Sequence, residues 1–89
     1  MNDDRLKLAV ILSDWCPACL EYKLNLNKFI LDNPEIPVSF IPPESKHLNK
    51  SIRAIPTTLL LRGDKVILFK EGMMTHLELK NVVNDILEP

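Results

Sequence analysis

Apolar residues in the first half of the chain form two short runs separated by a helical stretch. Lys7 to Leu12, KLAVIL, is aliphatic without alternation, which is typical of a central strand covered on both faces. Pro17 stands where proline is favoured, at the first position of a helix, and that helix is predicted to end near Asp32. Ile36 to Ile41, IPVSFI, predicts a second strand, and Pro37 places it at a sheet edge, where a missing N–H is tolerated.

The second half of the chain predicts a hairpin and a final helix. Thr57 to Leu61 and Val66 to Lys70 are apolar runs on either side of the turn Arg62-Gly63-Asp64-Lys65, which indicates an antiparallel pair. Glu44 to Ile52, ahead of them, predicts a short polar helix. Thr75 and Glu78 form a capping box. The apolar residues that follow recur at helical spacing: Leu79, Val82, Val83, Ile86 and Leu87.

The predicted order of elements is β-α-β-α-β-β-α. A right-handed crossover through the first helix makes the first two strands parallel, and the hairpin adds two antiparallel strands on the other side. The fold class is therefore α/β, a four-stranded mixed sheet with helices on both faces. In the first helix, the apolar side is expected to be broad: Leu20, Leu24, Leu26, Phe29, Ile30 and Leu31.

Length and charge narrow the classes of function. With 89 residues, the chain has room for one core, so we predict a single domain over residues 1–89. The formal net charge of -1 provides no positive field for nucleic acid. No run approaches the roughly 20 apolar residues of a membrane span, and Asp3 and Asp4 stand where a signal peptide is positive. We expect a cytoplasmic monomer that binds neither nucleic acid nor membrane.

Both cysteines lie in the segment Asp14 to Cys19, DWCPAC, directly after the first predicted strand. If Cys16 caps the helix, the free N–H groups of Ala18 and Cys19 point at its sulfur. These groups and the helix dipole stabilise a thiolate, so Cys16 is the candidate nucleophile. Cys19, one turn further on the same face, is the candidate resolving thiol. Trp15 is either a packed aromatic or a flat wall beside an exposed Cys16 sulfur.

Three motifs follow one another along the chain: Trp15-Cys16-Pro17-Ala18-Cys19 after the first strand, Ile55-Pro56-Thr57 before the hairpin, and Gly72 before the last helix. In this order they resemble the thioredoxin superfamily, and the resemblance extends from Lys7 to Leu87. It implies a minimal thioredoxin fold in which Pro56 is cis and lies against the cysteine pair. The substrate-binding residues that it implies are Trp15, Pro17, Ile55 and Pro56, with the backbone of Ile55 pairing with an extended substrate.

The chain departs from this family at three places. It lacks the extra N-terminal strand and helix of full-length thioredoxins and is nearer in length to glutaredoxins. Thioredoxins keep a buried aspartate six residues before the first cysteine, where this chain has Val10, so solvent, Asp14 or Glu21 must take the Cys19 proton. The dipeptide Pro17-Ala18 matches neither the Gly-Pro of thioredoxins nor the Pro-Tyr common in glutaredoxins, which leaves the reduction potential and the net direction open.

The predicted function is a thiol–disulfide oxidoreductase that uses its CPAC dithiol as a thioredoxin-like protein-disulfide reductase. Its expected partners are protein disulfides and an electron donor, either a thioredoxin reductase-like flavoprotein or glutathione. Two alternatives stay open: a glutaredoxin-type glutathione-dependent reductase, and a thioredoxin-like binding module for an extended partner.

No resident cofactor or metal is expected. His47 and His76 are not spaced with the cysteines as zinc ligands are, although an iron–sulfur cluster shared by two chains stays open as an alternative. Lys23, Lys50 and Arg53 are either solvated charges or groups that bind the carboxylates of glutathione.

Overall fold

A computed structural model describes residues 5–43 and 54–87. The helix predicted over Glu44 to Ile52 lies outside these residues. The six described elements are β1 (Leu6–Ile11), α1 (Pro17–Asp32), β2 (Val38–Ile41), β3 (Thr57–Arg62), β4 (Lys65–Glu71) and α2 (His76–Leu87). All six were predicted, and their ends differ from the predicted ends by two residues at most.

The strands form one mixed sheet in the order β2-β1-β3-β4. β1 pairs with β2 in parallel and with β3 in the antiparallel sense, and β3 and β4 form the antiparallel hairpin. The predicted mixed sheet, the central β1 and the edge position of β2 are confirmed. Pro37 precedes β2, and its carbonyl accepts a hydrogen bond from the Leu8 amide at 2.9 Å.

Both described helices contribute to one hydrophobic cluster with the strands. The buried face of α1 consists of Cys19, Tyr22, Leu26 and Phe29. The broad apolar side expected for this helix is wrong in part, because Leu20, Leu24 and Leu31 are exposed. The four buried residues follow helical spacing from Cys19, and packing against the sheet covers only this narrower stripe.

The final helix begins as predicted. Thr75 Oγ1 accepts a hydrogen bond from the Glu78 amide at 3.1 Å, and Glu78 Oε1 accepts one from the Thr75 amide at 3.2 Å. Leu79 and Val83 are buried in the cluster. At the start of α2, His76 Nε2 lies 2.8 Å from Asp32 Oδ2 at the end of α1. Within the described part of the chain, neither helix has the length and apolarity to cross a membrane.

Candidate active site

The cysteine pair sits at the start of α1, with Cys16 as its N-cap. Cys16 has extended backbone angles, φ -102° and ψ 112°, and its carbonyl accepts the first helical hydrogen bond, from the Leu20 amide at 3.1 Å. Its sulfur accepts a hydrogen bond from the Cys19 amide at 3.2 Å. The predicted capping by sulfur is confirmed. Pro17 occupies the first helical position and leaves no amide there to compete for the sulfur.

Burial distinguishes the two thiols. Cys16 is 9% exposed and Cys19 is 0% exposed, so a substrate can reach only the first without a rearrangement. Cys16 is less exposed than expected, because its side chain turns back over the first turn of the helix and caps it. Both thiols are free.

The pKa of the Cys19 thiol is raised, first by burial and then by its hydrogen bond with the Cys16 side chain. The backbone amide of Ser13 hydrogen-bonds the Cys19 sulfur and acts in the opposite direction, while a charge on Cys16 raises the pKa further. Cys19 is therefore a protonated thiol at neutral pH, and it must lose that proton before it can attack a disulfide.

Trp15 projects into solvent. Its side chain is 75% exposed, so the interpretation of Trp15 as a packed aromatic is wrong. It lines a groove of about 300 Å³ together with Ser13, Asp14, Lys23, Phe40 and Pro42. Lys23 Nζ lies 5.3 Å from the centroid of the Phe40 ring, a cation–π contact that ties α1 to β2 beside this groove.

The loop before β3 carries the second motif. The Ile55–Pro56 peptide bond is cis, as the family resemblance implies. Pro56 is buried, and Ile55 packs against the cluster that contains both cysteines. The Pro56 carbonyl accepts a hydrogen bond from the Gly72 amide at 2.8 Å. Gly72 has a φ of 90°, which favours glycine, so this residue closes the hairpin onto the proline loop.

Val10, at the position of the missing aspartate, is fully buried in the same cluster as Cys19. Its partners in the sheet are Phe40 on β2 and Thr58 on β3. Thr58 also takes part in a buried polar contact: its hydroxyl and the hydroxyl of Tyr22 on α1 are hydrogen-bonded at 2.6 Å. No local pattern in the sequence indicates this pair, because its members are 36 residues apart and neither stands in a motif.

The remaining candidates do not join this site within the described residues. His47, Lys50 and Arg53 lie outside them, and His76 lies beside Asp32. Over residues 5–43 and 54–87, no three histidine, cysteine or acidic side chains gather as a metal site would require.

Among known proteins, this chain is similar to solved structures and not to any family model or curated sequence. No protein-family model matches the sequence, and no curated protein matches it significantly. Several solved structures share the fold. Thioredoxin-2 of the malaria parasite superposes with a TM-score of 0.84 at 16% identity, covering 91% of this chain and 82% of its own.

Two further thioredoxins match as extensively. For thioredoxin f2 of Chlamydomonas reinhardtii the TM-score is 0.78 at 21% identity, covering 98% of this chain and 83% of that one. For Fasciola hepatica thioredoxin the TM-score is 0.79 at 18% identity, covering 94% of this chain and 83% of that one. The chain therefore has the thioredoxin fold, and the predicted resemblance to the thioredoxin superfamily is confirmed at the level of the fold.

Proposed function

We propose that this chain is a thiol–disulfide oxidoreductase that reduces protein disulfides through Cys16 and Cys19. One observation carries the proposal: the Cys16 sulfur caps α1 and accepts the Cys19 amide at 3.2 Å. The Cys16 sulfur thus stands at the positive end of a helix with a backbone N–H aimed at it, and such positions are where the cysteines of disulfide exchange are found. The thioredoxin fold of the chain supports the same chemistry.

The reaction has two displacements. The Cys16 thiolate attacks one sulfur of a substrate disulfide, forms a mixed disulfide and releases the other substrate sulfur as a thiolate, which takes up a proton. Cys19 then loses its proton and attacks the Cys16 sulfur, forming the Cys16–Cys19 disulfide and releasing the second substrate thiolate. The substrate gains two electrons and the enzyme dithiol loses two. The greater burial of Cys19 supports its assignment to the second step.

Trp15, Pro17, Ile55 and Pro56 are proposed to form the substrate surface. Trp15 and Pro17 are exposed on either side of Cys16, and an exposed indole offers a large contact area to a polypeptide. Because the Trp15 side of this surface is a groove and not a closed pocket, we propose a protein disulfide as substrate. The electron donor is tested by supplying glutathione with glutathione reductase, or a thioredoxin reductase, and following NADPH consumption.

The low exposure of Cys16 favours a second candidate, a binding module that holds an extended partner beside Ile55 and Pro56 without turnover. Reduction of the disulfides of insulin distinguishes the two functions. Turnover with dithiothreitol or either enzymatic donor supports the oxidoreductase. Absence of turnover with all donors, in protein whose two thiols are confirmed free, supports the binding module.

Substitution of the cysteines tests their roles. Cys16→Ser is expected to abolish insulin reduction, because no thiolate remains to attack. Cys19→Ser leaves the first step intact, so mixed disulfides with partner proteins accumulate and are detected on non-reducing gels. Accumulation in Cys16→Ser instead of Cys19→Ser would mean that the two roles are reversed.

A further inference from the structure

Ser13 is a buried polar residue at the candidate active site, and neither step of the proposed exchange uses its side chain. Its side chain is 8% exposed, and its hydroxyl oxygen is buried without a hydrogen-bond partner among the described residues. A buried hydroxyl without a partner destabilises the folded state, and such groups are uncommon in proteins. The hydroxyl is therefore either a defect or a donor held for a state that differs from the resting one.

The backbone of Ser13 is already part of the cysteine site. Its carbonyl accepts a hydrogen bond from the Cys16 amide at 3.4 Å, and its amide hydrogen-bonds the Cys19 sulfur. The hydroxyl oxygen is bonded to Cβ, two bonds from the same Cα, and turns about a single bond, Cα–Cβ. The hydroxyl is thus a second donor on the residue whose amide contacts this sulfur.

The resolving step creates the state in which that donor gains a partner. The neutral Cys19 thiol is a weak hydrogen-bond acceptor, whereas its thiolate is an anion in a buried site and needs donors. Val10, on the adjoining strand, is apolar and supplies neither a base nor a donor. Ser13 also lines the groove that contains Asp14, so this residue lies between the groove and the cysteine pair.

We propose that the Ser13 hydroxyl donates a hydrogen bond to the Cys19 thiolate as it forms, and so favours ionisation of Cys19 in the resolving step. The inference rests on the proposed two-step exchange. The Cys19 proton passes to solvent, the Cys19 thiolate attacks Cys16, and the departing substrate thiolate takes a proton from solvent. Ser13 itself is neither oxidised nor deprotonated.

The two steps can be followed separately with a chromogenic disulfide, 5,5′-dithiobis(2-nitrobenzoate). Attack by Cys16 releases one thionitrobenzoate, and attack by Cys19 on the mixed disulfide releases the second. In Ser13→Ala the first release is expected to be unchanged, and the second is expected to be about tenfold slower at neutral pH, the effect of one hydrogen bond to a charged group. Its pH profile moves to higher pH, and the difference from the unsubstituted protein disappears once Cys19 is fully ionised.

Thermal stability provides a second readout. If the Ser13 side chain had a merely structural role, Ser13→Ala would lower the thermal unfolding temperature. Ser13→Ala removes an unpartnered buried hydroxyl, so its thermal unfolding temperature is expected to stay equal or rise while the resolving step slows. Ser39→Ala is the matched control, because Ser39 is exposed on β2. It is expected to change neither rate. An unchanged second release in Ser13→Ala would overturn the proposal, and so would an equal slowing at every pH.

A direct titration separates this proposal from the proposed function. In a Cys16→Ser, Tyr22→Phe background, which holds one thiol and no tyrosine, the ultraviolet absorbance of the thiolate reports Cys19 alone, with no exchange required. Ser13→Ala is expected to move this titration to higher pH, and an unmoved titration would overturn the role of Ser13. If the titration moves while the unsubstituted protein releases no second thionitrobenzoate, the exchange mechanism fails and the hydrogen bond stands.

Discussion

At the scale of single residues, the site is organised by which polar groups surround Cys19. The amide of Ser13 faces the sulfur and burial opposes its ionisation, while Val10 presents only carbon on the neighbouring strand. The hydroxyls of Tyr22 and Thr58, which are buried in the core, hydrogen-bond each other at 2.6 Å. The proton of Cys19 is therefore expected to pass to solvent and not to a group in the core.

Val10→Asp tests whether the absence of a buried base limits the resolving step. A carboxylate at this position is expected to accept the Cys19 proton and accelerate the second thionitrobenzoate release near neutral pH. It is also expected to lower the free energy of unfolding by about 3 kcal/mol, because a polar group replaces a fully buried methyl pair. The measurements are stopped-flow absorbance and urea unfolding.

Val10→Asn is the matched control, since it is similar in size to aspartate and polar but does not accept a proton at neutral pH. It is expected to destabilise the fold without accelerating the step. Equal rates in the two variants would show that polarity, and not proton transfer, changes the reaction. An unchanged rate in Val10→Asp would show that Cys19 ionisation does not need an internal base.

At the scale of elements, the N-termini of the two described helices are capped by different chemical groups. The N-terminus of α1 uses a sulfur as its cap, whereas α2 uses a hydroxyl and a carboxylate in a capping box. The cap of α1 is the proposed nucleophile, and the cap of α2 closes the first turn of that helix. The edge strand β4 exposes three large apolar side chains, Val66, Ile67 and Phe69. Two features of this edge discourage pairing with another chain. They are Lys65 at the start of β4 and the register shift in its pairing with β3, between Leu60 and Leu61.

Thr75→Ala measures the contribution of the α2 cap. Loss of the hydroxyl leaves the Glu78 amide without its acceptor, so the free energy of unfolding is expected to fall by about 1 kcal/mol. Urea unfolding followed by far-ultraviolet circular dichroism gives this value, and Thr75→Ser, which keeps the oxygen, is expected to lose much less. Stability unchanged in Thr75→Ala would mean that tertiary packing alone holds the first turn of α2.

At the scale of the whole molecule, the buried groups link stability to pH. Burial raises the pKa of Cys19 above its ordinary value of 9.0 and the pKa of Tyr22 above 10.0. Both side chains are neutral when protonated, so the unfolded chain gives up these protons at lower pH than the folded chain does. Their contribution is complete below the unfolded pKa values and is lost as pH rises through the folded ones.

The reduced protein is therefore expected to unfold at lower urea concentration as pH increases from about 8 to about 10.5. Cys19→Ala is expected to remove the part of this loss that begins near pH 9, and Tyr22→Phe the part that begins near pH 10. Comparison of each variant with the unsubstituted chain separates these groups from the lysines. A loss of stability that is identical in all three proteins would contradict the prediction.

Much of the fold followed from short-range patterns in the sequence. Proline at the first helical position, Thr75 with Glu78, and the glycine-containing turn after β3 are local signals, because their interactions close within three or four residues. The capping position of Cys16 is of the same kind, since its sulfur meets an amide three residues further on. For this reason the six described elements and the capping of α1 by a cysteine sulfur were predictable.

Contacts between distant segments were decided only by the tertiary structure. Packing against the sheet selected the stripe from Cys19 to Phe29 as the buried face of α1 and left Leu24 exposed. It also joined Tyr22 to Thr58, turned Trp15 into solvent, and enclosed the Ser13 hydroxyl. Hydrophobic burial is non-directional, so composition alone does not say which of several apolar residues a neighbouring element covers. Short-range sequence patterns placed the cysteine pair at the start of α1, whereas packing between distant segments decided which groups surround the Cys19 sulfur.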